Sequence, residues 1–181
     1  MDFYMVKRFF YNLLNRFKGT NYNEYKCKNC EYDILSLKQE VSFVKLNTEA
    51  KAPFKKHEGD AGYDLFANLP EKQSITIEPN DQAKIPTGIA VSLNKCTVGI
   101  INDRSSMAFK KQIVTGGVID EPYTGEISVL LFNLSKEPYK INHGDKIAQM
   151  VIFPIVQATF IEKESLQETE RGNNGFGSTG T

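Results

Sequence analysis

Cysteine is scarce in this chain: there are three, Cys27, Cys30 and Cys96. So small and odd a number does not make a disulfide scaffold, and a reducing compartment is the simpler setting. Long apolar runs are missing too. No stretch approaches the roughly 20 residues that a membrane-spanning helix needs. Nor is there a surplus of either charge: 22 Lys and Arg balance 22 Asp and Glu, for a formal net charge of zero. A duplex-DNA binder carries a basic surplus, so nucleic acid is not the expected partner. A small anionic ligand needs only a few local cations and stays compatible with this balance. Histidine is limited to His57 and His143. With Cys96 apart from the single Cys27-Lys-Asn-Cys30 pair, the four ligands of a zinc site are not gathered in the sequence. With no clear targeting signal, the cytoplasm is the expected location, the nucleus the next.

What the chain does have is an ordinary globular composition, 40% hydrophobic and 24% charged over 181 residues. It divides into three parts. Residues 1 to 40 read as an appendage, 41 to 162 as a β-rich body and 163 to 181 as a polar, glycine-ended arm. In the appendage, Phe3, Val6, Phe9, Phe10, Leu13, Leu14 and Phe17 fall near helical spacing, with Lys7, Arg8, Arg16 and Lys18 between them. This helix either packs on its own domain or a partner, or lies on a membrane or serves as an import signal.

In the body, short alternating segments predict strands at Val41–Leu46, Ser74–Glu78, Gln82–Ile85, Gly88–Leu93, Thr97–Asn102, Gly125–Asn133, Tyr139–Ile141 and Lys146–Phe153. Turn signals such as Pro86-Thr-Gly88 and Asn142-His-Gly144 separate some of them. Many short strands with frequent turns predict an all-β, jelly-roll-like barrel or sandwich. One short helix is expected, at Ser106–Lys111.

Several segments have the residue types that chemistry on an anion would need. Asp103-Arg-Ser-Ser-Met-Ala-Phe-Lys110 follows an apolar strand, with Ser105 expected to cap the helix. Free N–H groups, two hydroxyls and a guanidinium there would suit a phosphate. Thr115-Gly-Gly-Val-Ile-Asp-Glu-Pro-Tyr-Thr-Gly-Glu126 reads as a hairpin whose glycines let the backbone approach something closely. Asp120 could hold a water there, and Tyr123 could offer a flat face. Read blindly, Arg171-Gly-Asn-Asn-Gly-Phe-Gly-Ser-Thr-Gly-Thr181 is a disordered tail, yet its arginine, hydroxyls and glycines suit an oligophosphate and its phenylalanine a planar base. Asp64 sits at a strand start, and Gln149 within an apolar strand, where a polar side chain needs a partner.

In this order the segments resemble the five motifs of the trimeric dUTPase family, over about residues 41 to 181. The match reads AGxDLxA at Ala61–Ala67, RSS at Arg104–Ser106, GVIDxxYxGE at Gly117–Glu126, GDKIAQ at Gly144–Gln149 and RGxxGFGSTG at Arg171–Gly180. The resemblance implies a homotrimeric jelly roll that hydrolyses dUTP to dUMP and pyrophosphate with Mg2+, supplying dUMP for thymidylate synthesis. It implies that each active site draws on more than one subunit. Asp120 would orient the attacking water, and Tyr123 would stack on deoxyribose. Backbone around Gly117, Val118 and Ile119 would read uracil. Ser105 and Ser106 would contact the phosphates, with Arg104 and Gln149 in support. Arg171, Gly177, Ser178 and Thr179 would hold the γ-phosphate, with Phe176 over the base. Asp64 would act on the metal indirectly, through water.

Two positions depart from the pattern. Asn174 stands where the family has glycine, and Asp103 precedes the arginine, where it could pair with Arg104. A related enzyme, dCTP deaminase, shares the fold but needs a glutamate where this chain has Leu130. The remaining alternative is a nucleotide-binding regulator without catalysis. Intact Asp120, Tyr123 and arm favour the enzyme.

Overall fold

The computed structural model describes residues 40–173. The expected N-terminal helix, the Cys27/Cys30 pair, Asn174, Phe176, Gly177, Ser178 and Thr179 lie outside the described residues.

Strand β8 (Glu126–Asn133) shows why this sequence folds as sheet. Its side chains alternate without a break, placing Ile127, Val129, Leu131 and Asn133 inward with no exposed surface. Burying each aliphatic member contributes about 1.5–3 kcal/mol. β8 pairs with β4 (Gln82–Ser92) on one side and β6 (Gln112–Val114) on the other, and β1 (Ser42–Lys45) adds to β4. The second sheet runs β2 (Tyr63–Phe66), β10 (Lys146–Pro154), β5 (Thr97–Asn102), β7 (Val118–Ile119). A small antiparallel pair joins β3 (Ser74–Ile77) to β9 (Tyr139–Asn142). All pairings are antiparallel, and both four-stranded sheets contribute to one core that includes Leu65, Ile85, Ile89, Ile127, Leu131 and Ile147. The architecture is the expected all-β jelly roll.

Several local expectations change. Gln82–Ile85 and Gly88–Leu93 are one strand, β4, whose register shifts between Pro86 and Ala90. Pro86-Thr-Gly88 is a bulge and not a turn, because Gly88 takes φ 68° while its N–H donates to Glu126 Oε1 at 2.8 Å. The hairpin expected over Thr115–Glu126 is absent: β7 pairs with β5 while β8 pairs with β4 and β6, so the chain crosses between the sheets there. The helix, α1, spans Ser105–Phe109 with Arg104 at the N-cap and no side-chain cap bond. Ser105 is therefore the first helical residue and not the cap. Cys96 is buried.

Beyond β10 no further strand or helix forms up to residue 173. The segment after β10, which leads into the arm, displays Val156 (90% exposed), Phe160 (99%) and Leu166 (87%) to solvent.

Candidate active site

The ends of three neighbouring strands bring the first group of residues together. Gln149 on β10 lies between Asp64 on β2 and Asn102 on β5, so the turn after β5 sits beside both. Gln149 Nε2 donates to the Asp103 carbonyl at 2.8 Å, which meets the demand for a partner inside an apolar strand. A side chain on Gly62 would stand 2.1 Å from Gln149 Oε1, so the glycine before Tyr63 makes room for that amide. Asp103 does not pair with Arg104: its Oδ1 accepts from the Val114 backbone N–H and ties the turn to β6.

Arg104 pairs instead with Asp64, Nε to Oδ1 at 2.7 Å, and Lys146 Nζ meets Asp64 Oδ2, also at 2.7 Å. The Asp64 side chain is only 16% exposed. Burial pushes its carboxyl up, but hydrogen bonds from Lys146 and Arg104 and their charges outweigh this and hold it below the ordinary carboxylate value. Arg104 NH1 reaches Ser106 Oγ at 3.4 Å. Arg104, Ser106, Lys110, Tyr139 and Lys146 line an open concavity of about 230 Å³. Three cations, two of them sharing Asp64, line this bowl with one further carboxylate, Asp145, and the remaining positive charge suits an anion. Ser105 is exposed at the start of α1.

The second group is built on the crossing between the sheets. Gly116 and Gly117 take φ 76° and 115°, and a Cβ on Gly117 would lie 2.6 Å from Ile101 Cβ. Only glycine lets this backbone press against β5, where Gly117 O accepts from Ile101 N at 2.8 Å. Ile119 is buried, while Val118 is 63% exposed on the outer face. Asp120 is exposed at the end of β7. The Asp120 carbonyl accepts from Tyr123 N at 3.0 Å, which closes the following turn. The Tyr123 hydroxyl donates to the Glu126 carbonyl at 2.9 Å, leaving the ring 44% exposed. Gly125 permits this, since a Cβ there would meet the phenol oxygen at 2.7 Å.

Among the described residues, no hydrogen bond or ion pair joins Asp120 or Tyr123 to Arg104, Ser106 or Gln149. Arg171 lies exposed on the arm. The structure thus brings together Asp64, Arg104, Ser106 and Gln149, and separately Gly117, Val118, Ile119, Asp120 and Tyr123. Lys146 and Lys110 were not singled out from the sequence. Lys146 could have been: a cation that opens an apolar strand, inside a quoted motif, asks for an acidic neighbour.

The fold itself is shared with solved structures. One is a mutant of the Staphylococcus bacteriophage 80alpha dUTPase with dUpNHpp, matched at TM-score 0.72 and 27% identity over 80% of this chain and all of that one. Another is a mutant dUTPase from phage phi11 of S. aureus, described with a structural Mg(II) ion, at TM-score 0.65 and 27% identity over 72% of this chain. Such a barrel, with its strand-end arginine and glycine crossing, defines the class: the β-barrel nucleotide hydrolases. Sequence then narrows the class. The dUTPase family model matches residues 48–180. The deoxyuridine 5'-triphosphate nucleotidohydrolase of Clostridium novyi is 48% identical over 139 residues, covering 75% of this chain and 95% of that protein. That of Vaccinia virus (strain Copenhagen) is 40% identical over 146 residues, covering 81% and 97%. The chain belongs to the dUTPase family.

Proposed function

We propose that the protein works as a homotrimer whose active sites join the Arg104 group of one subunit to the Asp120 group of another. The chain hydrolyses dUTP to dUMP and pyrophosphate. The observation that favours a shared site is the separation just described: the anion bowl and the acidic turn are complete local structures with no polar contact between them in one subunit. The apolar side chains exposed along the segment after β10 favour assembly, since Val156, Phe160 and Leu166 have nothing to cover them in the described chain.

In this reading the triphosphate lies in the bowl, where Arg104, Ser106 and Lys110 supply donors before any charge develops. Uracil meets the backbone at Gly117–Ile119, and Tyr123 flanks the sugar. Asp120 accepts a proton from a water that attacks the α-phosphorus, and pyrophosphate departs from the opposite side. General-base help of this kind is worth roughly 10²–10⁴-fold. Arg171 and the residues after it, Phe176 to Thr179, close over the bound nucleotide.

The residues fit Mg2+ carried by the substrate. No group of three or more His, Cys, Asp or Glu is placed for a metal among the described residues. Each Asp64 oxygen accepts from one cation and keeps a second lone pair for a metal-bound water. Mg2+ retains several waters and suits such indirect holding. When bound, it offsets charge on the phosphate oxygens.

The test is pyrophosphate release from dUTP, dCTP, dTTP and UTP. The protein should strongly prefer dUTP, and Asp120→Asn should lower kcat by about 10²–10⁴-fold while still binding dUpNHpp. An Asp120→Asn protein with near-normal kcat would remove Asp120 from its role.

A further inference from the structure

Lys146 owes its position to an irregularity in β10. The pairing with β2 runs Gln149 to Asp64 and Ala148 to Leu65, then shifts, so that Lys146 faces Phe66. Alternation would put Lys146 and Gln149 on opposite faces, three residues apart. The bulge cancels this: Ile147 and Ala148 are both fully buried, and Lys146 comes up beside Asp64 and Phe66 on the face that carries Gln149. Bulges re-aim side chains in this way at functional sites. The ammonium lies 4.8 Å from the Phe54 ring centre and 5.8 Å from that of Phe66, which favours its charged form in place.

We propose that Lys146 is a positioning residue for the triphosphate: by occupying Asp64 Oδ2, it keeps Arg104 bound to that carboxylate through Nε alone. A carboxylate that faces only one arginine accepts its fork two bonds at a time. With Lys146 gone, the uncovered oxygen of a largely buried carboxylate takes its nearest donor, a second N–H of Arg104. That turns the guanidinium away from the bowl. With Lys146 present, Arg104 spends one donor on Asp64 at 2.7 Å, and its NH1 reaches Ser106 on the wall of the bowl.

The inference rests on the assignment of the bowl to the triphosphate, and the experiment separates the two. Lys146→Met, Lys146→Arg, Asp64→Asn and the double variant Asp64→Asn/Lys146→Met are compared with wild type. KM and kcat for dUTP, the Kd of dUpNHpp and the inhibition constant of deoxyuridine, which has no phosphate, are measured. Lys146→Met should raise the dUTP KM and the dUpNHpp Kd about tenfold, the scale of one charge-assisted hydrogen bond. Deoxyuridine inhibition should stay within about twofold, and Lys146→Arg should recover most of the loss. In the Asp64→Asn background, Lys146→Met should add no further loss, since its effect passes through the carboxylate. Additive losses would overturn the proposal in favour of direct phosphate contact. Equal weakening of deoxyuridine and dUpNHpp would overturn it in favour of a general packing defect. If Arg104→Ala leaves dUpNHpp binding unchanged, the bowl assignment fails first, whatever Lys146 does.

Discussion

Asp64 is mostly buried, and its charge is tolerated because two cations meet it at 2.7 Å. Its carboxyl is therefore held below the unfolded value, and folding is linked to its ionisation. The stabilisation is complete above the unfolded pKa of about 3.9 and is lost as pH falls through the lower folded value. Asp64→Asn should cost roughly 1–3 kcal/mol at pH 7. The gap in Tm between wild type and variant should close as pH drops below about 4. A gap that stays constant from pH 7 to pH 3 would mean that the pairing contributes nothing through charge. At this scale the sequence singled out Asp64 and Gln149, because polar residues among apolar ones need partners, and Arg104 as a donor suited to phosphate. It did not name the partners. Asp103 turned to the Val114 N–H, leaving Arg104 to Asp64, and that choice depends on where β6 passes.

Among the elements, the crossing at Gly116–Gly117 separates a reading of pattern from a reading of space. Two adjacent glycines flagged a close backbone approach, and the approach is real: Gly117 is pressed on Ile101 with φ 115°. The same pattern does not say whether β8 turns back on β7 or joins another sheet, since pairing is decided by residues far away in sequence. β8 and β10 were legible nearly to the residue because their apolar positions alternate or run together. β4 was split in two because Pro86 and Gly88 are turn residues in isolation and bulge residues when a long neighbour, β8, holds both halves. Gly117→Ala should destabilise the fold by about 1–3 kcal/mol, from a φ unfavourable to L residues and a Cβ in contact with Ile101. It should also weaken nucleotide binding, because β7 and Val118 move with it. Urea unfolding and dUpNHpp titration would check this, and an alanine variant that matches wild type in both would show that the glycine is not required.

For the whole molecule, the barrel and its family were readable from the order of five motifs, each modest alone. Assembly as a trimer came from the resemblance alone, because a surface that meets another copy looks like any half-apolar surface. Among the described residues, the segment after β10 leaves Phe160 almost wholly exposed. The most direct test of a shared site is complementation. Asp120→Asn protein and Arg104→Ala protein should each be nearly inactive. Refolded together in equal amounts, with mixed trimers verified by native mass spectrometry, they should recover a minor but clear fraction of wild-type pyrophosphate release. That follows because some sites then combine an intact Asp120 of one subunit with an intact Arg104 of another. Verified mixed trimers without recovered activity would contradict the account.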